Sequence, residues 1–207
     1  MGAPEDQIRA YLARFASPPR ELVEAFIAQG RRRLLSKGEP LMRLGESAHR
    51  IAFLHTGIVR YHLVHPETGE DVTKDFLFAP QFSMSFGSLV REQPARVAVS
   101  AVQDCAVTLW PGRVWLKAVN GHIEWQKLGR KFAERLYVRK EDRELAFLLQ
   151  SAEERYDALL AGFPPEAEQI PQHFLASYVG VAPESLSRLK KRRKAIAKPP
   201  GERYGSS

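Results

Sequence analysis

The chain has 207 residues, a net charge of +7 and an isoelectric point near 9.7. Hydrophobic residues make up 44% of it, which excludes a wholly disordered protein, and the length allows one large domain or two small ones. The single cysteine, Cys105, excludes an internal disulfide and a four-cysteine zinc or iron–sulfur site. The positive charge favours a polyanionic partner.

No apolar run approaches the length of a membrane span. The first residues, MGAPEDQIRA, lack the charged and then apolar order of a signal peptide. We therefore expect a cytoplasmic protein that does not contact the membrane.

Short elements are predicted in the first half of the chain. Residues 5–15 and 20–29 carry apolar side chains at spacings of three and four, which predicts two amphipathic helices. From residue 31 to residue 110 short apolar runs alternate with turn residues, which indicates antiparallel strands closed into a β-roll. Hairpin turns are predicted at 55–57, 66–69 and 103–104.

A long helix is predicted from about residue 122 to residue 150. An apolar stripe runs along it, formed by Trp125, Leu128, Phe132, Leu136, Leu145, Leu148 and Leu149. A second copy of the same helix is the simplest surface that could cover this stripe, so we expect a homodimer through residues 122–150. The charged segment RKEDRE at 139–144 interrupts the stripe and is the expected hinge.

Residues 172–188, QHFLASYVGVAPESLSR, are typical of two short helices joined by a tight turn. Ala176 is small where the helices would approach, and Gly180 can adopt the positive φ that such a turn requires. Pro171 and Pro183 stand at the starts of the two helices, where proline loses no hydrogen bond. The stretch predicts a helix-turn-helix, although an ordinary helical hairpin with solvated charges is the alternative.

The second helix of this motif would place polar side chains in a major groove of DNA. A carboxylate can accept from cytosine N4, a guanidinium can bind guanine O6 and N7, and lysines can neutralise phosphates. The predicted DNA-binding residues are Glu184, Ser185, Ser187, Arg188, Lys190, Lys191 and Arg192.

Taken in this order, the elements resemble the Crp/Fnr family of transcriptional regulators over nearly the whole chain. The most specific matches are KGE at 37–39, Gly57, LAFL at 145–148 and ESLSR at 184–188. The resemblance implies an α+β fold: an antiparallel β-roll with N-terminal helices in residues 1–112, a long dimerisation helix in 113–150, and a helix-turn-helix domain in 151–207.

The same resemblance implies partners. Members of the family are homodimers that bind double-stranded DNA at two-fold symmetric operators, and RNA polymerase is a further candidate partner. Glu184, Ser187 and Arg188 match the Glu-x-x-Ser-Arg pattern of the Fnr-like branch, which implies a half-site related to TTGA.

The segment that matches the family's cyclic-nucleotide cassette departs from it. FSMSFGS at 82–88 has no acidic residue, whereas the resemblance implies a glutamate for the ribose and an arginine for the phosphate. Arg96 falls about one position late, and a one-residue slip in a strand turns a side chain to the opposite face. We therefore expect that cyclic AMP is not bound in the usual way. The candidate effector-pocket residues are Phe82, Ser85, Ser88, Arg96, Arg139 and Lys140.

Other chemistries find less support in the sequence. It contains no P-loop, no Gly-x-Ser-x-Gly and no His-Glu-x-x-His motif, so we expect no enzyme and no catalytic residues. No metal site is predicted and the effector stays unknown, although haem held by a single histidine stays open. The alternative function is a ligand-binding or interaction module that kept the fold without reading bases. The family resemblance also implies a wing, a β-hairpin that follows the second helix of the helix-turn-helix. After residue 193 the sequence has two prolines and few strand-forming residues, so no such hairpin is predicted.

Overall fold

The computed structural model describes residues 3–46 and 50–197. Packing divides the chain into two compact units, Met1–Glu144 and Leu145–Ser207. The fold is α+β, as the sequence predicts. The boundary between the units falls inside the longest helix.

The N-terminal unit begins with two helices, α1 (Pro4–Ala13) and α2 (Arg20–Ile27), close to the predicted bounds. The strands follow as β1 (Arg31–Leu35), β2 (Pro40–Met42), β3 (Arg50–Thr56), β4 (Ile58–Val64), β5 (Asp71–Phe78), β6 (Gln81–Met84), β7 (Ala98–Ala101) and β8 (Cys105–Pro111). A short helix, α3 (Phe86–Val90), lies between β6 and β7, and β8 leads into α4 (Gly112–Gly121) and α5 (Ile123–Leu149).

The strands form two four-stranded antiparallel sheets, in the orders β1-β8-β3-β6 and β2-β7-β4-β5. This arrangement confirms the predicted β-roll. Alternation along β3 divides its side chains between two environments. Ala52 and Leu54 point into the apolar cluster between the sheets, whereas Ile51 and Phe53 point to the helices on the other face.

Two of the three predicted hairpin turns are wrong. Gly57 joins β3 to β4, and residues 102–104 join β7 to β8. In both cases the two strands belong to different sheets, so neither 55–57 nor 103–104 forms a hairpin. The turn at 66–69 does join paired strands, β4 and β5, and the Gly69 amide donates to the His65 carbonyl oxygen at 2.9 Å. Turn residues mark where a strand ends, but long-range pairing decides which sheet the next strand joins.

Gly57 lies where the chain passes from one sheet to the other, with φ at +96°. A Cβ atom there would lie 2.5 Å from Cys105 Sγ and 2.8 Å from the Asp104 carbonyl oxygen. An alanine side chain would strain the backbone at this positive φ and would overlap these two atoms. We therefore expect Gly57→Ala to lower the free energy of unfolding by about 2–4 kcal/mol. Urea denaturation measures this loss.

Gly69→Ala is the matched control, because Gly69 also has positive φ, +70°, but its Cβ would meet no atom within 4 Å. We expect a loss of about 1–2 kcal/mol there, from backbone strain alone. Equal losses in the two variants would contradict the close packing at Gly57.

An aromatic cluster joins the helices to the outer face of the sheet β1-β8-β3-β6. Phe26 of α2 stacks on Trp110 of β8 with ring centroids 4.9 Å apart, and Trp110 Nε1 donates to the Phe26 carbonyl oxygen at 2.8 Å. Trp125, Leu128 and Phe132 from the first half of α5 are buried in the same cluster. The cluster therefore anchors the start of the long helix within its own chain.

This packing corrects the prediction for the long helix. The sequence assigned the whole apolar stripe to a second copy, but its first half is covered by the cluster of the same protomer. A separate helix, α4, precedes α5 and was not predicted from the sequence. Farther along α5, the large apolar side chains that remain exposed are Tyr137, Val138, Leu145, Phe147, Leu148 and Leu149.

The C-terminal unit contains α6 (Ala152–Gly162), a 3₁₀ helix (Pro165–Gln169), α7 (Gln172–Val179) and α8 (Pro183–Ala197), besides the last turn of α5. The predicted capping box begins α6: the Ser151 hydroxyl accepts from the Glu154 amide at 3.3 Å, and the Glu154 carboxylate accepts from the Ser151 amide at 2.8 Å. The tail after residue 197, for which no wing is predicted, lies outside the described residues.

Candidate functional site

The helices α7 and α8 meet at a tight turn. Gly180 ends α7 in the left-handed region, with φ 80° and ψ 42°, and its amide donates to the Ala176 carbonyl oxygen at 2.9 Å. The Val181 amide donates to the same oxygen at 3.0 Å. Ala176 is fully buried. The residue types that predicted a helix-turn-helix thus take the conformations that the motif requires.

One side of α8 is polar and exposed over its first turns. Glu184, Ser187 and Arg188 are exposed, while Leu186 and Leu189 are buried beneath them. Within the described part of the chain, the Arg188 side chain makes one long hydrogen bond, from Nη2 to Ser185 Oγ at 3.4 Å. The structure therefore brings these predicted contact residues together on one solvent-facing surface.

The basic run that follows is divided between solvent and α6. Lys191 is exposed and Lys190 is half-buried. Arg192 lies 3.9 Å from Glu153, and Arg193 Nη1 lies 2.5 Å from Asp157 Oδ1. These contacts could not be predicted from the sequence, because nothing in the local pattern shows that α6 lies beside the end of α8.

A small recess in the β-roll gathers two of the six candidate effector residues. Ser85 Oγ donates to Ser88 Oγ at 3.0 Å, and both line the recess with Glu46 and Arg50. Arg50 Nη2 lies 2.9 Å from Glu46 Oε1. The recess has a volume of only about 10 Å³, whereas ligand pockets usually hold roughly 300–1,000 Å³.

The other candidate effector residues lie elsewhere. Phe82 is buried in the aromatic cluster, and the side chains of Arg96 and Lys140 are exposed. The Arg96 amide does reach the recess, donating to Ser88 Oγ at 3.4 Å. Glu46 and Arg50, which do line it, were missed; their one signal is an i, i+4 pair of opposite charges.

Arg139, the remaining candidate, ties α5 to β5. Its Nη2 donates to Asp75 Oδ1 at 2.7 Å and to the Phe76 carbonyl oxygen at 2.8 Å. Burial raises the pKa of Asp75, and the charge of Arg139 opposes that rise. One turn later, Arg143 Nη2 donates to the Thr73 carbonyl oxygen at 3.5 Å. The charged segment at 139–144 therefore contacts the strand and not the recess.

Tyr61 crosses the interior of the roll from β4 to β6. Its hydroxyl lies 2.7 Å from Ser83 Oγ and accepts from the Met84 amide at 3.1 Å. Burial raises the pKa of Tyr61 to about 12, so the phenol stays neutral at physiological pH. The side chain therefore links the two sheets.

Comparison with known proteins rests on structure, since no family model and no curated protein matches the sequence. FixK2 of Bradyrhizobium japonicum has a TM-score of 0.70 and 21% identity over 84% of this chain and 90% of its own. The c-di-GMP-responsive global regulator CLP of Xanthomonas campestris has a TM-score of 0.67 and 17% identity over 91% of this chain and 100% of its own.

A third match is a protein from Eubacterium rectale described as a transcriptional regulator of the Crp/Fnr family. It has a TM-score of 0.64 and 14% identity over 86% of this chain and 85% of its own. The chain has the Crp/Fnr fold.

The described residues of this Crp/Fnr fold carry neither a metal-binding cluster nor a membrane-spanning helix. No group of three or more His, Cys, Asp or Glu side chains among them could hold a metal ion. No helix among residues 3–46 and 50–197 has both the length and the apolar character needed to cross a bilayer. Burial raises the pKa of the Cys105 thiol, which favours its neutral form.

Proposed function

We propose that the protein is a homodimeric, sequence-specific DNA-binding transcriptional regulator. The observation that carries this proposal is the exposed face of α8, which presents Glu184, Ser187 and Arg188 to solvent. The opposite face of the helix is buried through Leu186 and Leu189. These side chains offer an acceptor, a hydroxyl and a bidentate donor to base edges in a major groove. The Crp/Fnr fold, shared with regulators, supports the same conclusion.

Double-stranded DNA fits the charge of this surface. Lys190, Lys191 and Arg192 follow the base-reading turns and would neutralise phosphates. A two-fold symmetric operator with TTGA-like half-sites follows from the match at Glu184, Ser187 and Arg188. Such a regulator would work in the cytoplasm, with RNA polymerase as its downstream partner.

The half-site assignment is tested by selecting bound sequences from a random DNA pool with purified protein and no added ligand. We expect enrichment of a palindrome whose halves are about 10 bp apart, centre to centre. Binding to all sequences alike, with strong salt dependence, would contradict base reading and favour the interaction module.

The proposed homodimer would use the exposed side of α5. Val138, Leu145 and Leu148 are exposed and follow one another at spacings of seven and three, as in a coiled-coil seam. Leu148 is 72% exposed in the single chain. Its apolar surface stays in contact with water unless a partner covers it, so the free energy of burying that surface is available to a dimer. Dimerisation supplies that cover.

Leu148→Glu is therefore expected to weaken the dimer by at least about ten-fold, because it introduces a charge into the seam of both protomers. Sedimentation equilibrium measures the change in dissociation constant. Lys127→Glu is the control, since Lys127 is exposed and its Nζ pairs with Glu124 of its own helix at 2.6 Å. An unchanged dimer in Leu148→Glu would contradict this seam.

The residues of the recess support the proposal that the protein does not bind cyclic AMP in the way usual for the family. Its arginine, Arg50, is paired with Glu46, and its remaining polar lining includes Ser85 and Ser88. An anionic phosphate would have to displace the carboxylate of Glu46. We propose that DNA binding does not require a cyclic nucleotide, which the ligand-free selection also tests.

Asp157 should limit how strongly the protein holds DNA phosphates, because its carboxylate pairs with Arg193. Asp157→Asn is expected to release Arg193 for a phosphate contact and tighten binding to all DNA by about 2- to 5-fold. The slope of log K against log salt should become steeper by about one. Fluorescence anisotropy at several salt concentrations measures both.

Asp142→Asn changes the net charge by the same amount at an exposed position of α5 and serves as the control. A similar gain in both variants would show that net charge, and not the release of Arg193, is responsible.

A further inference from the structure

Arg155 of α6 contacts the ends of two other helices of the C-terminal unit. Its Nε donates to the Val179 carbonyl oxygen at 2.8 Å, and its Nη1 donates to the Gln150 carbonyl oxygen at 2.6 Å. Val179 ends α7, and Gln150 directly follows the last residue of α5. The guanidinium carbon also lies 4.7 Å from the centroid of the Phe147 ring.

These acceptors belong to helix ends, where the last carbonyls have no partner inside their own helix. The planar guanidinium carries several N–H donors in a fixed geometry, so one side chain can hold two carbonyls from different helices. A lysine ammonium has the charge but not the planar fork. The arginine side chain is therefore suited to set the angle between these helix ends.

Gly180, in the turn of the helix-turn-helix, packs against the same Phe147 ring as Arg155. We call this meeting of the turn, Arg155 and Phe147 the junction. A Cβ atom there would lie 2.7 Å from Phe147 Cε1, so the backbone of the turn packs directly on this ring. Phe147 lies in the last turn of α5, within the C-terminal unit. The turn thus meets the end of the long helix through Phe147 and through Arg155.

The contact between α7 and α8 does not need this junction. Leu175, Ala176, Val179, Leu186 and Leu189 are all buried in the C-terminal unit and together form the apolar base of the motif. Replacing Arg155 removes hydrogen bonds at the edge of that base and leaves its apolar side chains in place. Mutation of Arg155 can therefore separate the effect of its hydrogen bonds from the effect of the apolar packing between α7 and α8.

We infer that Arg155 is a positioning residue for DNA recognition, which holds the turn of the helix-turn-helix on the last turn of α5. The inference rests on the proposed function and deepens it, because a dimer must present two copies of α8 at a set separation, about 34 Å for successive major grooves. Arg155 sets the direction of α8, and Glu184, Ser187 and Arg188 read the bases.

The test compares the wild-type protein with Arg155→Met, Arg155→Lys and the control Arg130→Met. Arg130 is an exposed arginine of α5 whose Nη1 pairs with Glu134 at 2.5 Å. Each protein is titrated with duplexes that carry one selected half-site, or two whose centres are about 8 to 13 bp apart. Thermal melting of each protein accompanies the titrations.

We expect Arg155→Met to bind a single half-site within about two-fold of wild type, because the reading surface is intact. Its preference for the best spacing over the others should fall from about ten-fold or more to about two-fold, since the direction of α8 is no longer held. Arg155→Lys should lie between the two, and Arg130→Met should match wild type. An unchanged spacing profile in folded Arg155→Met would overturn the inference.

Amide hydrogen exchange gives a second readout that does not involve DNA. In Arg155→Met the amides of Gly180 and Val181 should exchange at least about ten-fold faster, while those of Leu186 and Leu189 keep their protection. Unchanged exchange at the turn would overturn the inference.

The two readouts distinguish failure of this inference from failure of the proposed function. If wild type shows no base preference, the proposed function fails and hydrogen exchange alone decides the role of Arg155. Should Arg155→Met not fold, Arg155→Lys is carried through both measurements.

Discussion

Arg188→Ala is expected to remove base preference at one position of each half-site. Arg188 is exposed in the second turn of α8, and its hydrogen bond to Ser185 Oγ is long, at 3.4 Å, so a guanine can replace it. Loss of a bidentate contact with a base should cost about 1–3 kcal/mol, or about 5- to 150-fold in affinity for the preferred sequence. Affinity for sequences already mismatched at that position should change little.

Competition binding measures this effect, with the selected operator and its single-base variants as competitors. Lys191→Ala is the matched control, because Lys191 is exposed on the same helix but beyond the base-reading turns. We expect it to weaken binding to every sequence alike and to reduce the salt slope by about one. If Arg188→Ala also weakens all sequences equally, Arg188 contacts phosphate and not a base.

Trp125→Ala is expected to destabilise the N-terminal unit by about 3–5 kcal/mol. Trp125 is 1% exposed, lies 5.0 Å from the Phe26 ring and meets Trp115 edge-on at 6.3 Å. Its removal leaves a cavity where α2, α4 and α5 meet, and these rings cannot fill it without moving. Chemical denaturation followed by circular dichroism measures the loss.

Ile123→Ala is the control for this substitution. Ile123 lies at the start of the same helix but is 58% exposed, so its truncation should change the free energy of unfolding by less than about 0.5 kcal/mol. A small effect of Trp125→Ala would show that the aromatic cluster can close over the gap.

The helix-turn-helix could be predicted from sequence because its requirements are local. The turn requires a residue with positive φ, which Gly180 supplies, and the close approach of the helices requires a small side chain, which Ala176 supplies. Pro183 begins the second helix, so all three requirements are met within a dozen residues. The same holds for the capping box of Ser151 and Glu154, whose two hydrogen bonds span one helical turn. Local hydrogen bonding and sterics leave few other conformations for such stretches.

The candidate effector residues were harder to predict, since a pocket is assembled from distant segments. Ser85 and Ser88 do meet in the recess, but Arg50 and Glu46 come from another part of the chain and also line it. Arg139 bonds Asp75 across 64 positions, which no local pattern could indicate.

By itself, the sequence determined most of the elements of this protein, although not the separate helix α4: the periodicity of apolar residues indicated helix or strand, and proline and glycine marked their ends. Tertiary structure alone decided which strands share a sheet, which half of the α5 stripe is covered within the chain, and which arginines of α8 meet carboxylates of α6. The physical reason is that backbone preferences act over a few residues, whereas burial and ion pairing depend on segments brought together only by folding.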